Sequence, residues 1–186
     1  MLPVAVNQEP SLDVDIVMSK FPALPWLLLS ILVIVCDQIS KGMISGHFTL
    51  GESVPVFPGF SLTLLHNTGA AFSFLSDAGG WQRWFFTIVV IGVTTGILVW
   101  LYRLPAGRNW LAAALALIVG GALGNLWDRL TLGYVVDFLH VYYGGWDFPA
   151  FNVADSAITI GAIMLIIDTI WFDQAEISTY HGNKSH

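Results

Sequence analysis

The chain has 186 residues, of which 55% are hydrophobic and only 11% are charged. Its mean hydropathy of +0.70 is too high for a protein whose whole surface faces water, so we expect its main body to lie in a membrane. The net charge of −6 comes partly from acidic residues near both termini, and the sequence has no basic stripe that would neutralise phosphate groups. Nucleic acid is therefore excluded as a partner.

Four apolar segments approach the ~20 residues that a helix needs to cross a bilayer. They span residues 22–42, 84–102, 110–127 and 153–172, and the eight tryptophans lie near their ends, where indole rings anchor at membrane interfaces. We predict a disordered extension (1–20), one membrane-embedded domain (21–172) and a cytoplasmic tail (173–186). Four spans leave both termini on one side, and a slight excess of Lys and Arg there predicts the cytoplasm.

The first predicted helix ends in the sequence DQISK, in which Asp37 and Lys41 are four residues apart. This spacing brings both side chains to one helical face, where an ion pair would lower the cost of two charges beside lipid.

Cys36 precedes them in the apolar run and is expected to be a small, buried core residue. Because it is the only cysteine, no intramolecular disulfide is possible.

The long connection between the first two helices, residues 57–74, alternates between apolar and polar side chains at residues 60–64 and again at 72–74. Alternation with a period of two predicts two short strands, and hence a small sheet on the outer face of the membrane. Residues 79–86 are predicted to begin as an interfacial segment that leads into the second helix.

The second and third predicted helices are joined by a turn, residues 103–109, that contains Pro and Gly and is too short to form a site. Within the third helix, Gly120 and Gly124 form a G-x-x-x-G pair. Small residues at this spacing allow helix backbones to approach closely in lipid, so we assign these glycines to packing rather than to chemistry.

Two further motifs carry polar side chains near the ends of the spans. In HNTGAAF, Asn67 and Gly69 lie where the chain either makes an ordinary turn or lets its backbone approach a ligand closely. In GNLWDRL, Asn125, Asp128 and Arg129 share one helical face. Arg129 either clamps a carboxylate or backbone carbonyls as a structural device, or takes part in catalysis.

Two acids follow the third helix. Asp137 is flanked by Val136 and Phe138, and burial among such neighbours disfavours the charged form of a carboxyl group. The fourth helix opens with FNVADS, which predicts Asn152 as its N-cap and Asp155 at the third helical position. A carboxylate at that position would bond back to the cap and interact favourably with the helix dipole.

The polar groups of these motifs all fall on one side of the membrane when the four helices alternate in direction. Two acids that converge in a partly dry site share one proton, so that one acts as a general base on water while the other donates to the substrate. The sequence contains no G-x-S-x-G nucleophile motif and no H-x-x-x-H pair. We therefore expect aspartyl chemistry with no metal and no cofactor.

The sequence resembles the lipoprotein signal peptidases, also called signal peptidase II, which are bacterial membrane aspartyl proteases. The resemblance runs from about Pro25 to Trp171 and rests on DQISK, NTGAAFS, GGALGNLWDRL, VVDF and FNVADS in the order of the family. It implies an integral membrane fold that is mainly α, with four transmembrane helices, a small periplasmic β-cradle and an interfacial helix.

The resemblance also implies the roles of individual residues. Asp137 and Asp155 match the catalytic pair. The positions that match residues shaping the site or contacting the substrate are Asp37, Lys41, Asn67, Gly69, Asn125, Asp128, Arg129 and Asn152.

By the same resemblance, the substrate is a prolipoprotein with a diacylglyceryl-modified cysteine, cleaved just before that cysteine. The expected setting is the bacterial inner membrane, with membrane lipid around a monomer and the active site near the periplasmic face. The alternative is a small proton-coupled carrier in which the acids relay protons. A carrier would place its binding groups near the midplane and contain internal repeats, and the sequence shows neither.

Overall fold

The computed structural model describes residues 23–68 and 81–172. Its four α-helices are α1 (Leu24–His47), α2 (Trp81–Arg103), α3 (Asn109–Thr131) and α4 (Val153–Ile167), and α4 continues into a π-helical turn, Asp168–Phe172. All four are long and apolar enough to cross a membrane, which confirms the four predicted spans. Residues 1–20, residues 173–186 and Gly69, on which three of the predictions fall, lie outside the described residues.

Two helices extend beyond the ends that were predicted from their apolar segments. The first extends to His47 rather than residue 42, and the third to Thr131 rather than residue 127. The third helix was predicted to end just before Asp128, but this carboxylate pairs with Lys41 of α1, so the helix has no need to stop there. The polar motifs therefore project from regular helical turns, which fixes their directions.

Helix α3 lies at the centre of the bundle, with 61% of its spanning window buried against at most 22% for each of the other three helices. A Cβ atom at Gly120 would lie 2.8 Å from the carbonyl oxygen of Ser30, and one at Gly121 would clash with the backbone of Ala154. The hydroxyl of Ser30 also donates to the carbonyl oxygen of Ala116 at 2.8 Å. These contacts confirm that the glycines allow α1 and α4 to pack closely on α3.

A four-stranded antiparallel sheet completes the fold, in the order β1 (Ser53–Phe57), β2 (Phe60–Asn67), β3 (Val135–Tyr143) and β4 (Trp146–Asp147). The predicted strand at residues 60–64 is confirmed as part of β2, whereas residues 72–74 lie outside the described residues. Strand β2 pairs with β1 on one side and with β3 on the other, and the sequence did not predict β3. A register shift between Leu62 and Leu65 accommodates the pairing of β2 with β3.

The connection from β3 to α4 keeps the two elements in contact. Phe151 pairs with Leu139 in an antiparallel bridge, in which the N–H groups of Phe138 and Leu139 donate to the Phe151 carbonyl at 2.9 and 2.8 Å. Because Phe151 precedes the N-cap of α4, the bridge holds the start of that helix beside the strand that carries Asp137.

Two expectations about individual side chains were wrong or incomplete. Cys36 is exposed on the outer surface of α1 rather than buried, because the buried positions of this helix face α3 and are occupied by other residues. Asp168, which the sequence interpretation overlooked, is a buried acid at the opposite end of the bundle. Its carboxylate pairs with Arg108 at 2.7 Å in a structural ion pair.

Candidate active site

A buried charged cluster joins α1 to α3 at the end of the bundle next to the sheet. The Lys41 ammonium lies 2.8 Å from an Asp37 carboxylate oxygen and 2.9 Å from an Asp128 carboxylate oxygen. All three side chains are almost fully buried. The predicted Asp37–Lys41 ion pair is confirmed, and its extension to Asp128 explains how these charges are tolerated away from water.

Two asparagines link this cluster to the two candidate catalytic acids. Asn125 accepts a hydrogen bond from Lys41 at 3.0 Å and donates to Asp155 Oδ1 at 2.7 Å. Asn152 donates from Nδ2 to Asp137 Oδ1 at 2.7 Å and to Asn125 Oδ1 at 3.2 Å. The amides therefore form a continuous hydrogen-bonded path from the charged cluster to both carboxyl groups.

Asp137 lies in β3, and its side chain is buried. Asn67 donates to its second oxygen, Oδ2, at 3.0 Å, so each oxygen of this carboxyl group receives an amide hydrogen bond. Burial outweighs these bonds and raises the pKa of Asp137 from 3.8 to about 7. The predicted preference of Asp137 for its neutral form therefore agrees with the structure.

Asp155 lies in the first turn of α4. Its backbone N–H donates to Asn152 Oδ1 at 2.9 Å, and its carboxylate accepts from the backbone N–H of Asn152 at 3.3 Å, which completes a capping box. The predicted cap is thus confirmed. The start of a helix favours negative charge, and so does the amide of Asn125, so these two features oppose the effect of burial on Asp155.

Both acids open into one cavity of about 580 Å³. Its polar end is formed by the amides and charges of the motifs, and the rest is largely apolar surface from α4 and from the segment before it. The lining residues are Asn67, Asn125, Arg129, Val135, Asp137, Phe148, Pro149, Ala150, Phe151, Asp155, Ser156, Ile158, Thr159 and Ile160. A chamber of this size and mixed polarity fits a peptide segment together with apolar substituents.

Arg129 projects from the last turn of α3 into the same cavity. One of its guanidinium nitrogens donates weakly to the carbonyl oxygen of Asn125 at 3.4 Å, and its charge lies 5.7 Å from the centre of the Phe86 ring. Arg129 lines the cavity and forms no hydrogen bond with Asp137 or Asp155.

The structure brings together all the predicted site residues that it describes, and it adds partners that the sequence interpretation missed. Gln38 donates to Asp128 Oδ1 at 2.9 Å, and the backbone N–H of Ala154 donates to Asp37 Oδ1 at 2.9 Å. Gln38 lies inside the DQISK motif, so the sequence alone could have identified it as a site residue. Backbone donors leave no signal in sequence.

Within residues 23–68 and 81–172, no three His, Cys, Asp or Glu side chains are arranged to hold a metal ion. The arrangement that is present, a buried acid with a raised pKa beside an acid at a helix start, is suited to activating water and protonating a leaving group.

Comparisons with known proteins agree with this chemistry. The sequence model of the family described as Signal peptidase (SPase) II matches residues 29–171. The lipoprotein signal peptidase of Pseudomonas aeruginosa is 54% identical over 158 residues, which cover 84% of this chain and 91% of that protein. The lipoprotein signal peptidase of Acinetobacter baumannii is 58% identical over 149 residues, which cover 80% of this chain and 85% of that protein.

Two solved structures of bacterial membrane enzymes have the same fold. One superposes with a TM-score of 0.70 at 34% identity and covers 79% of this chain and 93% of the solved chain. The other has a TM-score of 0.69 at 36% identity and covers 78% and 90% of the two chains. The chain therefore belongs to the signal peptidase II family and is an aspartic-type membrane endopeptidase that processes lipoproteins.

Proposed function

We propose that Asp137 and Asp155 are the catalytic pair of this endopeptidase. The observation that carries the proposal is that both carboxyl groups open into one cavity and are bridged by one residue, Asn152. Their surroundings also differ, because Asp137 is more fully buried than Asp155 and only Asp155 lies at a helix start, where negative charge is favoured. One acid and one base in the same cavity are what hydrolysis by an activated water requires.

The proposed mechanism begins with Asp155 ionised and Asp137 protonated. Asp155 removes a proton from a water molecule held between the two acids, and the water attacks the scissile carbonyl carbon. Asp137 donates to the carbonyl oxygen as negative charge develops there. The tetrahedral intermediate then collapses as Asp155 passes its proton to the leaving amine and Asp137 takes back the proton from the former carbonyl oxygen, so both acids return to their starting states.

The proposed substrate is a prolipoprotein whose cysteine carries a diacylglyceryl group, with cleavage of the peptide bond before that cysteine. The cavity supports this proposal because its polar end holds the two acids and its apolar part is formed by residues such as Ile158 and Phe148. Arg129 faces the cavity and is placed to bind a carbonyl oxygen of the peptide.

We further propose that the protein works as a monomer surrounded by lipid in the bacterial inner membrane. Both termini would then lie in the cytoplasm and the sheet with the cavity near the periplasmic face. A proton-coupled carrier is less well supported, because Asp137 lies in the sheet and Asp155 in the first turn of α4 rather than near the midplane.

The substrate proposal is tested with purified wild-type protein and a pair of synthetic precursor peptides. The two peptides are identical except that one carries a diacylglyceryl group on its cysteine and the other has a free thiol. We expect cleavage of the lipidated peptide alone, and mass spectrometry should locate the new N-terminus at the modified cysteine. Equal cleavage of both peptides, or cleavage at another bond, would refute the proposed specificity.

A further inference from the structure

Lys41 does not line the cavity, yet it occupies the centre of the polar network. Its ammonium has three acceptors: Asp37 Oδ2 at 2.8 Å, Asp128 Oδ2 at 2.9 Å and Asn125 Oδ1 at 3.0 Å. A lysine ammonium carries three protons and no lone pair, so this set uses all of its hydrogen-bonding capacity. The side chain is 3% exposed, and its geometry is therefore set by these three contacts.

The two carboxylates that Lys41 joins each bind the backbone beside one catalytic acid. Asp37 Oδ1 accepts from the N–H of Ala154 at 2.9 Å, and Ala154 immediately precedes Asp155. Asp128 Oδ2 accepts from the N–H of Val136 at 3.1 Å, and Val136 immediately precedes Asp137. A single ammonium thus connects the backbone of α4 to the backbone of β3 at the two positions that carry the pair.

The third contact of Lys41 fixes the orientation of an amide. Because an ammonium can only donate, the oxygen of Asn125 must face Lys41 and its NH₂ group must face the other way. That NH₂ group donates to Asp155 Oδ1 at 2.7 Å. The oxygen of Asn125 accepts hydrogen bonds from Lys41 and from Asn152. Without Lys41, only the bond from Asn152 would remain.

We propose that Lys41 is a positioning residue for catalysis, which holds Asp137 and Asp155 at their working separation through Asp128 and Asp37 and orients Asn125 toward Asp155. The inference rests on the proposed catalytic pair. Lys41 acts only through other residues, so its loss disturbs the alignment of the acids with the water and the carbonyl rather than the binding of substrate. Misalignment of this kind lowers the turnover rate more than the affinity.

The test compares two variants of Lys41. Lys41→Arg keeps the charge but replaces a compact ammonium by a planar fork, which cannot place three donors on these three acceptors. Lys41→Met combined with Asp128→Asn removes the ammonium and one carboxylate together, so the net charge of the buried cluster is unchanged. We expect kcat for a diacylglyceryl peptide to fall on the order of 100-fold in both variants, with KM within about threefold of wild type.

The matched control removes an ion pair at the opposite end of the bundle, in which Asp168 is buried and Arg108 is partly exposed. Arg108→Met combined with Asp168→Asn disrupts a 2.7 Å pair at the end remote from the cavity. We expect this control to lower Tm while its kcat stays within about twofold of wild type. Tm is measured for every variant, so that loss of folding is separated from loss of turnover.

The inference is overturned if either Lys41 variant that remains folded keeps kcat within about threefold of wild type, or if the control loses kcat to the same extent. If the double variant does not fold, Lys41→Arg decides the question alone. Failure of the underlying catalytic pair gives a different result: Asp155→Asn would then cleave the peptide at the wild-type rate, whatever the Lys41 variants do.

Discussion

The two proposed catalytic acids differ in their immediate surroundings. Asp137 is buried in a strand, and two amide hydrogen bonds do not compensate for its loss of water, so its pKa rises to about 7. Asp155 begins a helix and accepts hydrogen bonds from a backbone N–H and from the Asn125 amide. The helix N-terminus thus opposes the effect of burial at Asp155, whereas the strand gives Asp137 no such field, and this difference is the asymmetry that aspartyl chemistry uses.

The pH dependence of activity follows from the raised pKa of Asp137. Its proton is needed for catalysis, so kcat/KM should fall as the pH rises through about 7. The Asn67 amide stabilises the ionised form of Asp137 and lowers this pKa, so Asn67→Ala should move the alkaline limb upward by roughly 0.5–1 pH unit. Initial-rate profiles between pH 5 and 9 measure this, and a limb that stays in place or moves downward would contradict the assignment.

The same pKa has a consequence for stability. The folded protein binds the Asp137 proton more tightly than the unfolded chain, in which the pKa is near 3.8. This group therefore contributes less to stability as the pH rises from about 4 to about 7, because an ionised, buried carboxylate is left behind. Asp137→Asn should thus raise Tm relative to wild type by more at pH 8 than at pH 5.5. An equal difference at both pH values would show that Asp137 does not hold the proton.

At the scale of the elements, helix α3 determines how closely the bundle can pack. Its glycines face the backbones of α1 and α4, and Gly124 additionally leaves room for the buried Asp37 carboxylate, whose Oδ2 would lie 2.8 Å from an added Cβ. Close packing at this end is what allows one lysine to reach acceptors on two helices. The site is therefore a product of helix contact as much as of its polar residues.

Gly120→Ala should destabilise the protein by roughly 1–3 kcal/mol, because its methyl group would meet the Ser30 carbonyl and the Val33 side chain at 2.8 Å. Gly96→Ala in α2 is the matched control, since nothing lies within 4 Å of an added Cβ there. The control should leave stability unchanged or raise it slightly, because alanine is the better helix former. Thermal unfolding in detergent separates the two, and equal Tm values would contradict the packing role.

Sequence was sufficient for the four helices but only in part for the sheet, of which it predicted the strand at residues 60–64. Hydropathy alone located four spans, because length and apolar composition are local properties. Strand β3 was not predicted, since it pairs with β2 across about 70 residues of chain, as the contact between Asn67 and Asp137 shows. The family motifs supplied the site residues, but the backbone contacts of Ala154 and Val136 that connect them to Lys41 could be found only in three dimensions.

At the scale of the whole molecule, the buried charged side chains among residues 23–68 and 81–172 lie in two regions with different tasks. The end that carries the sheet contains the cavity and the network around Lys41, whereas the opposite end holds the Arg108–Asp168 pair. Our proposal places the first end at the periplasmic interface, where a lipid-anchored cysteine and its peptide would meet the cavity.

This orientation can be tested by cysteine labelling in intact cells. In a Cys36→Ser background, Glu52→Cys places a thiol before the sheet and Ala106→Cys places one in the turn between α2 and α3, both at exposed positions. A maleimide that crosses the outer but not the inner membrane should label the first variant in intact cells and the second only after permeabilisation. The opposite pattern would invert the proposed topology.

The central claim, that Asp137 and Asp155 act as a pair on a lipidated precursor, is tested most directly by single-turnover cleavage of a diacylglyceryl peptide. Asp137→Asn and Asp155→Asn should each lower the rate constant by roughly 10²–10⁴-fold while the variants remain folded. Asp147→Asn, which changes an acid that is 71% exposed in β4, should cleave at the wild-type rate. Cleavage by either member of the pair within about tenfold of wild type would contradict the account.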